Sequence, residues 1–136
     1  ISECLFWVDI LTQRILMRGP NTHKEWQLEV IPSALGWIDK NSLLVATNVG
    51  LMIFDLETEA LTALCAIEAN NSATRSNDGR TDPWGGFWVG TMNVDENLPP
   101  NGCIYRWYKG ELRKLVSGLK VPNGICFDLT RSVAYY

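Results

Sequence analysis

The chain has 136 residues, 46% of them hydrophobic, and a net charge of −3. That is one domain's length with enough apolar content for a core, and its Lys and Arg are scattered rather than clustered, so no phosphate-tracking surface and no nucleic-acid partner is expected. No apolar run approaches the roughly 18 residues of a membrane span, so no membrane role is expected either.

Short runs rich in Val, Ile, Leu, Trp, Tyr and Phe recur along the chain, separated by Gly, Asn, Asp and Pro. Such runs predict strands over residues 5–10, 14–18, 25–31, 43–48, 51–56, 63–67, 86–91, 103–108, 112–116, 125–127 and 132–136. No window of ten or more residues holds an apolar stripe at helical spacing, so the expected class is all-β. Cys4, Cys65, Cys103 and Cys126 stand far apart with no C-x-x-C pair. They are expected as reduced thiols packed as small hydrophobes, which favours the cytoplasm.

The runs share a plan. "GWIDKNSLLVAT" from Gly36, "GRTDPWGGFWVGT" from Gly79 and "GICFDLTRSVAYY" from Gly124 each hold a Gly, an Asp three or four residues on, a short turn and an apolar strand. "LFWVDILTQRILMR" looks like the strand half of an earlier copy. A period of about 40–50 residues with roughly four strands each is the signature of a β-propeller blade, the alternative being a β-sandwich whose strands happen to look alike. No initiator Met opens the chain, and "RSVAYY" stops inside a strand-like run. The expectation is therefore a stretch of a longer propeller, truncated at both ends, whose open terminal faces invite self-association.

Two segments carry candidate chemistry. In "RSNDGRTDPWGGFWVGTM", Arg75 and Asn77 are two apart, so in extended backbone they project from one face. A rigid fork of donors beside an amide suits a polyhydroxylated or carbonyl-bearing small molecule. Asp78-Gly79 is a turn dipeptide in which the carboxylate is expected to bond backbone amides. The plainer alternative is that the whole segment is a polar turn. In "VPNGICFD", Asn123-Gly124 reads either as a tight turn or as a side-chain carbonyl offered to a hard cation. Asp95 follows "GTM" and could reach a channel mouth, although its loop also reads as ordinary acidic surface. Trp84 and Trp88 are expected in packing. The Ser residues have no His beside them in sequence, which gives no support to a Ser-His-Asp centre.

Together, "RSNDGRTDPWGGFWVGTM", "VPNGICFD" and "LFWVDI" resemble the senescence marker protein / regucalcin / gluconolactonase / luciferin-regenerating enzyme family. The resemblance implies about three blades of a six-bladed propeller with one divalent metal ion (Ca, Zn, Mn or Mg) in its channel, and hydrolysis of a sugar lactone. It implies that Asn123 in P-N-G is a metal ligand and that Arg75 and Asn77 in R-x-N-D-G bind substrate. Asp95 falls where some members place a substrate-contacting acid. The family's other two ligands, a Glu in E-G-P-x-W and an Asp from a later blade, have no match here; Glu3, followed by Cys-Leu, is not assigned. The general base is unassigned. On this reading the 136-residue stretch is inactive alone. The rival expectations are a calcium-binding regulatory protein of the same family and a propeller used as an interaction scaffold.

Overall fold

The computed structural model describes residues 3–136. Among the described residues thirteen strands follow one another and there is no helix. Strands β1 (Leu5–Asp9), β2 (Arg14–Arg18) and β3 (His23–Gln27) form a three-stranded antiparallel meander. Strands β4 (Pro32–Trp37), β5 (Ser42–Thr47), β6 (Gly50–Asp55) and β7 (Leu61–Ala66) form a four-stranded one. A second four-stranded meander is built by β8 (Thr74–Thr81), β9 (Phe87–Asn93), β10 (Gly102–Tyr108) and β11 (Glu111–Leu119). A further hairpin pairs β12 (Cys126–Asp128) with β13 (Val133–Tyr135). In each four-stranded sheet the spatial order is the chain order, as in propeller blades, and the first strands meet: β1 packs on β4 and β4 on β8.

Strand β5 shows why the sheets stack. Its residues Leu43 and Val45 join Ile15, Met17, Trp26, Leu28 and Phe54 in the core against the first sheet. Leu44 and Ala46, on the opposite side of the pleat, join Ala34, Leu51, Phe87, Val89, Cys103 and Tyr105 in the core against the third. A strand covered on both faces has no solvent side, so it reads as the unbroken run "LLVA" rather than an alternation. The four cysteines are free, and Cys103 is buried in this second core.

The recurring glycines have a packing cause. A Cβ at Gly36 in β4 would lie 3.0 Å from Phe87 Cε2, and one at Gly79 in β8 would lie 3.0 Å from Phe87 Cε1 and from Ala34 Cβ. Both first strands thus close around one ring at the sheet interface, where a side chain would force them apart.

The two strands that pattern reading passes over are β4 and β8, which lead their sheets. Both contain Gly and small or polar residues, and both carry a register shift, between Pro32 and Ala34 and between Ser76 and Gly79. Trp88 packs between sheets as expected, with its ring edge-on to Phe127 of β12 at 5.3 Å. Trp84 does not: it lies exposed in the β8–β9 turn.

Candidate functional site

The stretch from Arg75 to Met92 divides into two parts with different work. Its second part is a latch on the β8–β9 turn. The buried Asp82 carboxylate accepts hydrogen bonds from the backbone amides of Trp84 and Gly86, at 2.9 and 2.8 Å, through Oδ1. Its Oδ2 accepts the Trp88 indole at 3.1 Å and the Arg106 guanidinium at 2.5 Å. Burial alone would raise this carboxyl. The Arg106 bond, the two amides and the indole outweigh it and hold the group below the ordinary carboxylate range. Asp82, Pro83 and the Gly85-Gly86 pair are therefore structural, and the candidate chemistry is confined to the strand before them.

On β8, Thr74 and Ser76 are buried and alternate with half-buried Arg75 and Asn77, as a pleat requires. The buried pair ties β8 to the preceding sheet. Ser76 Oγ meets Ser33 Oγ of β4 at 2.7 Å. Thr74 Oγ1 donates to Glu68 at 2.5 Å, and the same carboxylate accepts the Tyr105 hydroxyl at 2.7 Å and Thr91 Oγ1 at 3.3 Å. Burial and the Glu68 carboxylate push the Tyr105 phenol upward, so it stays a donor. Glu68 sits at φ 50° between β7 and β8. In sequence it is one acid in a polar loop, with nothing in the spacing to mark the three hydroxyls that converge on it.

Arg75 keeps one guanidinium nitrogen, Nη1, on the Ser76 carbonyl at 2.9 Å, leaving its other donors uncommitted to that bond. It borders the crevice between the second and third sheets together with Thr47, Asn48 and Glu68. Asn77 reaches across to the next segment, where Nδ2 donates to the Pro122 carbonyl at 3.3 Å. The adjacent Asp78 accepts its neighbour's amide, Gly79 N, at 2.9 Å and the distant Ile125 N at 3.1 Å. Asp78 thus bonds backbone amides as its sequence predicts, though one of them belongs to the distant segment that leads into β12.

Asn123 stands between these two contacts. Its side chain is exposed, and Oδ1 accepts the Gly124 amide at 3.1 Å, keeping a second lone pair. Gly124 takes the left-handed conformation that the N-G pair predicts, at φ 67°. The structure therefore brings Asn77 next to the Asn123 segment. Asp95 lies in the loop after β9, near the end where Arg75 pairs with Met92. Its Oδ1 accepts the Asn97 backbone and side-chain amides, both at 2.9 Å.

An accessible amide oxygen on a backbone pinned at both sides suits a hard cation, which takes oxygen donors. One such donor does not make a cage, since calcium takes about six to eight. Among the described residues no cluster of three or more His, Cys, Asp or Glu side chains could hold an ion. Asn123 fits as one ligand of a set that the described residues do not complete.

A Rhizobium meliloti protein provisionally named a sugar lactone lactonase is 35% identical over 109 residues, covering 80% of this chain and 36% of its own length. The 6-deoxy-6-sulfogluconolactonase of Pseudomonas putida is 29% identical over 141 residues, covering 99% of this chain and 47% of its own. The crystal structure of a calcium-binding protein, regucalcin, from Agrobacterium tumefaciens superposes with a TM-score of 0.88 at 33% identity, over 93% of this chain and 43% of that one. The chain thus spans less than half the length of these relatives. The sequence profile of the SMP-30/Gluconolactonase/LRE-like region matches residues 2–136. The chain belongs to the SMP-30/gluconolactonase/LRE-like family and forms part of a β-propeller.

Proposed function

We propose that this chain supplies three blades of a six-bladed propeller whose complete form hydrolyses a sugar lactone with the help of one divalent ion. The observation that carries the reading is the junction of Asn77 with the Pro122 carbonyl, which sets the R-x-N strand beside the P-N-G segment. Relatives named as lactonases support the substrate class. Three stacked sheets in less than half a relative's length support the blade number.

In this reading the Arg75 fork and the Asn77 amide hold ring hydroxyls or the lactone carbonyl oxygen. Fixing the ring removes much of the entropic cost of attack. Asp95, on the loop after β9, would touch the sugar from the same end as Arg75. Asn123 Oδ1 would be one donor to the ion, which when bound supplies the positive charge that polarises the carbonyl or activates a water. The 136-residue chain, with one such donor, is inactive by itself.

The test is a panel of sugar lactones assayed with the complete protein in Ca, Zn, Mn and Mg. Turnover that depends on the ion supports the reading. The likeness to a calcium-binding regucalcin favours one second reading, a calcium-binding regulatory protein without significant catalysis. Intact ion binding with no turnover across the panel would select it.

A further inference from the structure

Residues 121–125 lie outside any strand and have no ladder to hold them. Three contacts nevertheless fix this segment on the third blade, and they flank Asn123. On one side, Asn77 Nδ2 donates to the Pro122 carbonyl at 3.3 Å. Under the same residue, a Cβ at Gly90 would lie 2.8 Å from Pro122 Cγ, so the proline ring seats in the notch that this glycine leaves. On the other side, Asp78 Oδ2 accepts the Ile125 amide at 3.1 Å. Oδ1 of the same carboxylate is held by Gly79 N at 2.9 Å, which fixes the group's orientation.

We infer that Asp78 is a positioning residue for Asn123: it holds the Ile125 amide and thereby fixes the backbone from which the Asn123 carbonyl is presented to a divalent cation. This rests on the reading of Asn123 as a ligand. The physical case is one of preorganisation. An unladdered segment carrying a single amide donor samples many orientations, and each ion-binding event must then order it. A charge-assisted bond two residues after the donor and a seated proline one residue before it leave little of that ordering to be done. Asn77 and Asp78 fall within the register shift between Ser76 and Gly79, where the ladder to β9 is interrupted, and both reach the same segment.

The experiment has two arms. In the 136-residue chain, amide exchange of Ile125 is followed by NMR with the Gly86 amide, held by Asp82, as internal reference. Asp78→Ala should speed Ile125 exchange at least about tenfold and leave Gly86 unchanged. In the complete protein, Ca2+ affinity is measured by calorimetry, without any lactone. Asp78→Ala should weaken it by roughly 10–100-fold, as losses of orienting groups do, and Asp78→Asn, which keeps one acceptor oxygen, by less. Gly90→Ala should weaken it independently, by lifting Pro122 while removing no polar group. Unchanged Ile125 exchange in both Asp78 variants would overturn the contact. Faster exchange with unchanged Ca2+ affinity would overturn the positioning role. Failure of the unaltered protein to bind Ca2+ would overturn the reading of Asn123, and the role with it, whatever the exchange arm shows.

Discussion

Ser33 and Ser76 occupy the same place in successive repeats, each three residues before the glycine that closes on Phe87, and their hydroxyls meet at 2.7 Å in the buried seam between two blades. A hydrogen bond between equivalent positions means that the repeat is written into the contact as well as the sequence. Removing the Ser33 hydroxyl strands that of Ser76, at about 1–3 kcal/mol, whereas removing the Ser76 hydroxyl leaves Ser33 only the Ala46 carbonyl at 3.5 Å. Ser76→Ala and Ser33→Ala should each destabilise the chain in urea melts, and the double variant should cost less than their sum. Additive losses would mean that the two hydroxyls do not depend on each other.

Asp82 gives the fold an acid-sensitive point. Its carboxyl titrates below the ordinary range in the folded chain, so its contribution is fully present above the unfolded value, about 4, and is lost as pH falls through the folded value. Asp82→Asn should therefore be less stable than the parent at neutral pH, and the gap should narrow as pH drops below about 4. Arg106→Leu, which leaves the buried carboxylate without its cation, should cost about 3 kcal/mol at pH 7. A gap between Asp82→Asn and parent that stays constant from pH 7 to pH 3 would contradict the assignment.

Phe87 is the ring on which two first strands close. Phe87→Ala should destabilise by about 3–5 kcal/mol, a large share of a domain's total. Gly79→Ala is harmful for the opposite reason, since its Cβ would meet the Trp88 carbonyl at 2.9 Å as well as the ring. The smaller Phe87→Leu should partly relieve Gly36→Ala, whose conflicts are with the ring and the Thr81 hydroxyl. Thermal melts of the single and paired variants decide this.

The outer faces of the chain predict its behaviour in isolation. Leu5 and Trp7 at one end, and Val133, Tyr135 and Tyr136 at the other, are exposed. Each large side chain left in water forgoes roughly 1.5–3 kcal/mol of burial. Light scattering should show the chain associating as concentration rises, and a monomer at all concentrations would contradict the prediction.

Much of this was legible in the sequence, and what was not has physical causes. Interior strands such as β2 and β6 are short apolar runs, and the predicted runs 14–18 and 51–56 lie on them. The leading strands β4 and β8 escape pattern reading because they carry the interface glycines and, in β8, a run of polar residues that reads as a turn. Arg75, Asn77 and Asn123 are candidates by motif, and the structure brings Asn77 beside the Asn123 segment. The bond from Asp78 to Ile125 could not be named from a motif, since it joins residues 47 apart in sequence through a register shift that no local pattern announces. Glu68 was invisible for the same reason: its partners Thr74, Thr91 and Tyr105 come from three different strands.

We propose that Asn77, bonded to the Pro122 carbonyl, and the adjacent Asn123 belong to one ion-dependent lactone site. It is tested most directly by measuring Ca2+ affinity and gluconolactone turnover of the complete protein carrying Asn123→Ala, with Arg75→Ala alongside. Asn123→Ala should lower both together by at least about tenfold, as deletion of an ion's donor does, whereas Arg75→Ala should lower turnover and leave Ca2+ affinity unchanged. Unchanged affinity and unchanged turnover in Asn123→Ala would contradict it.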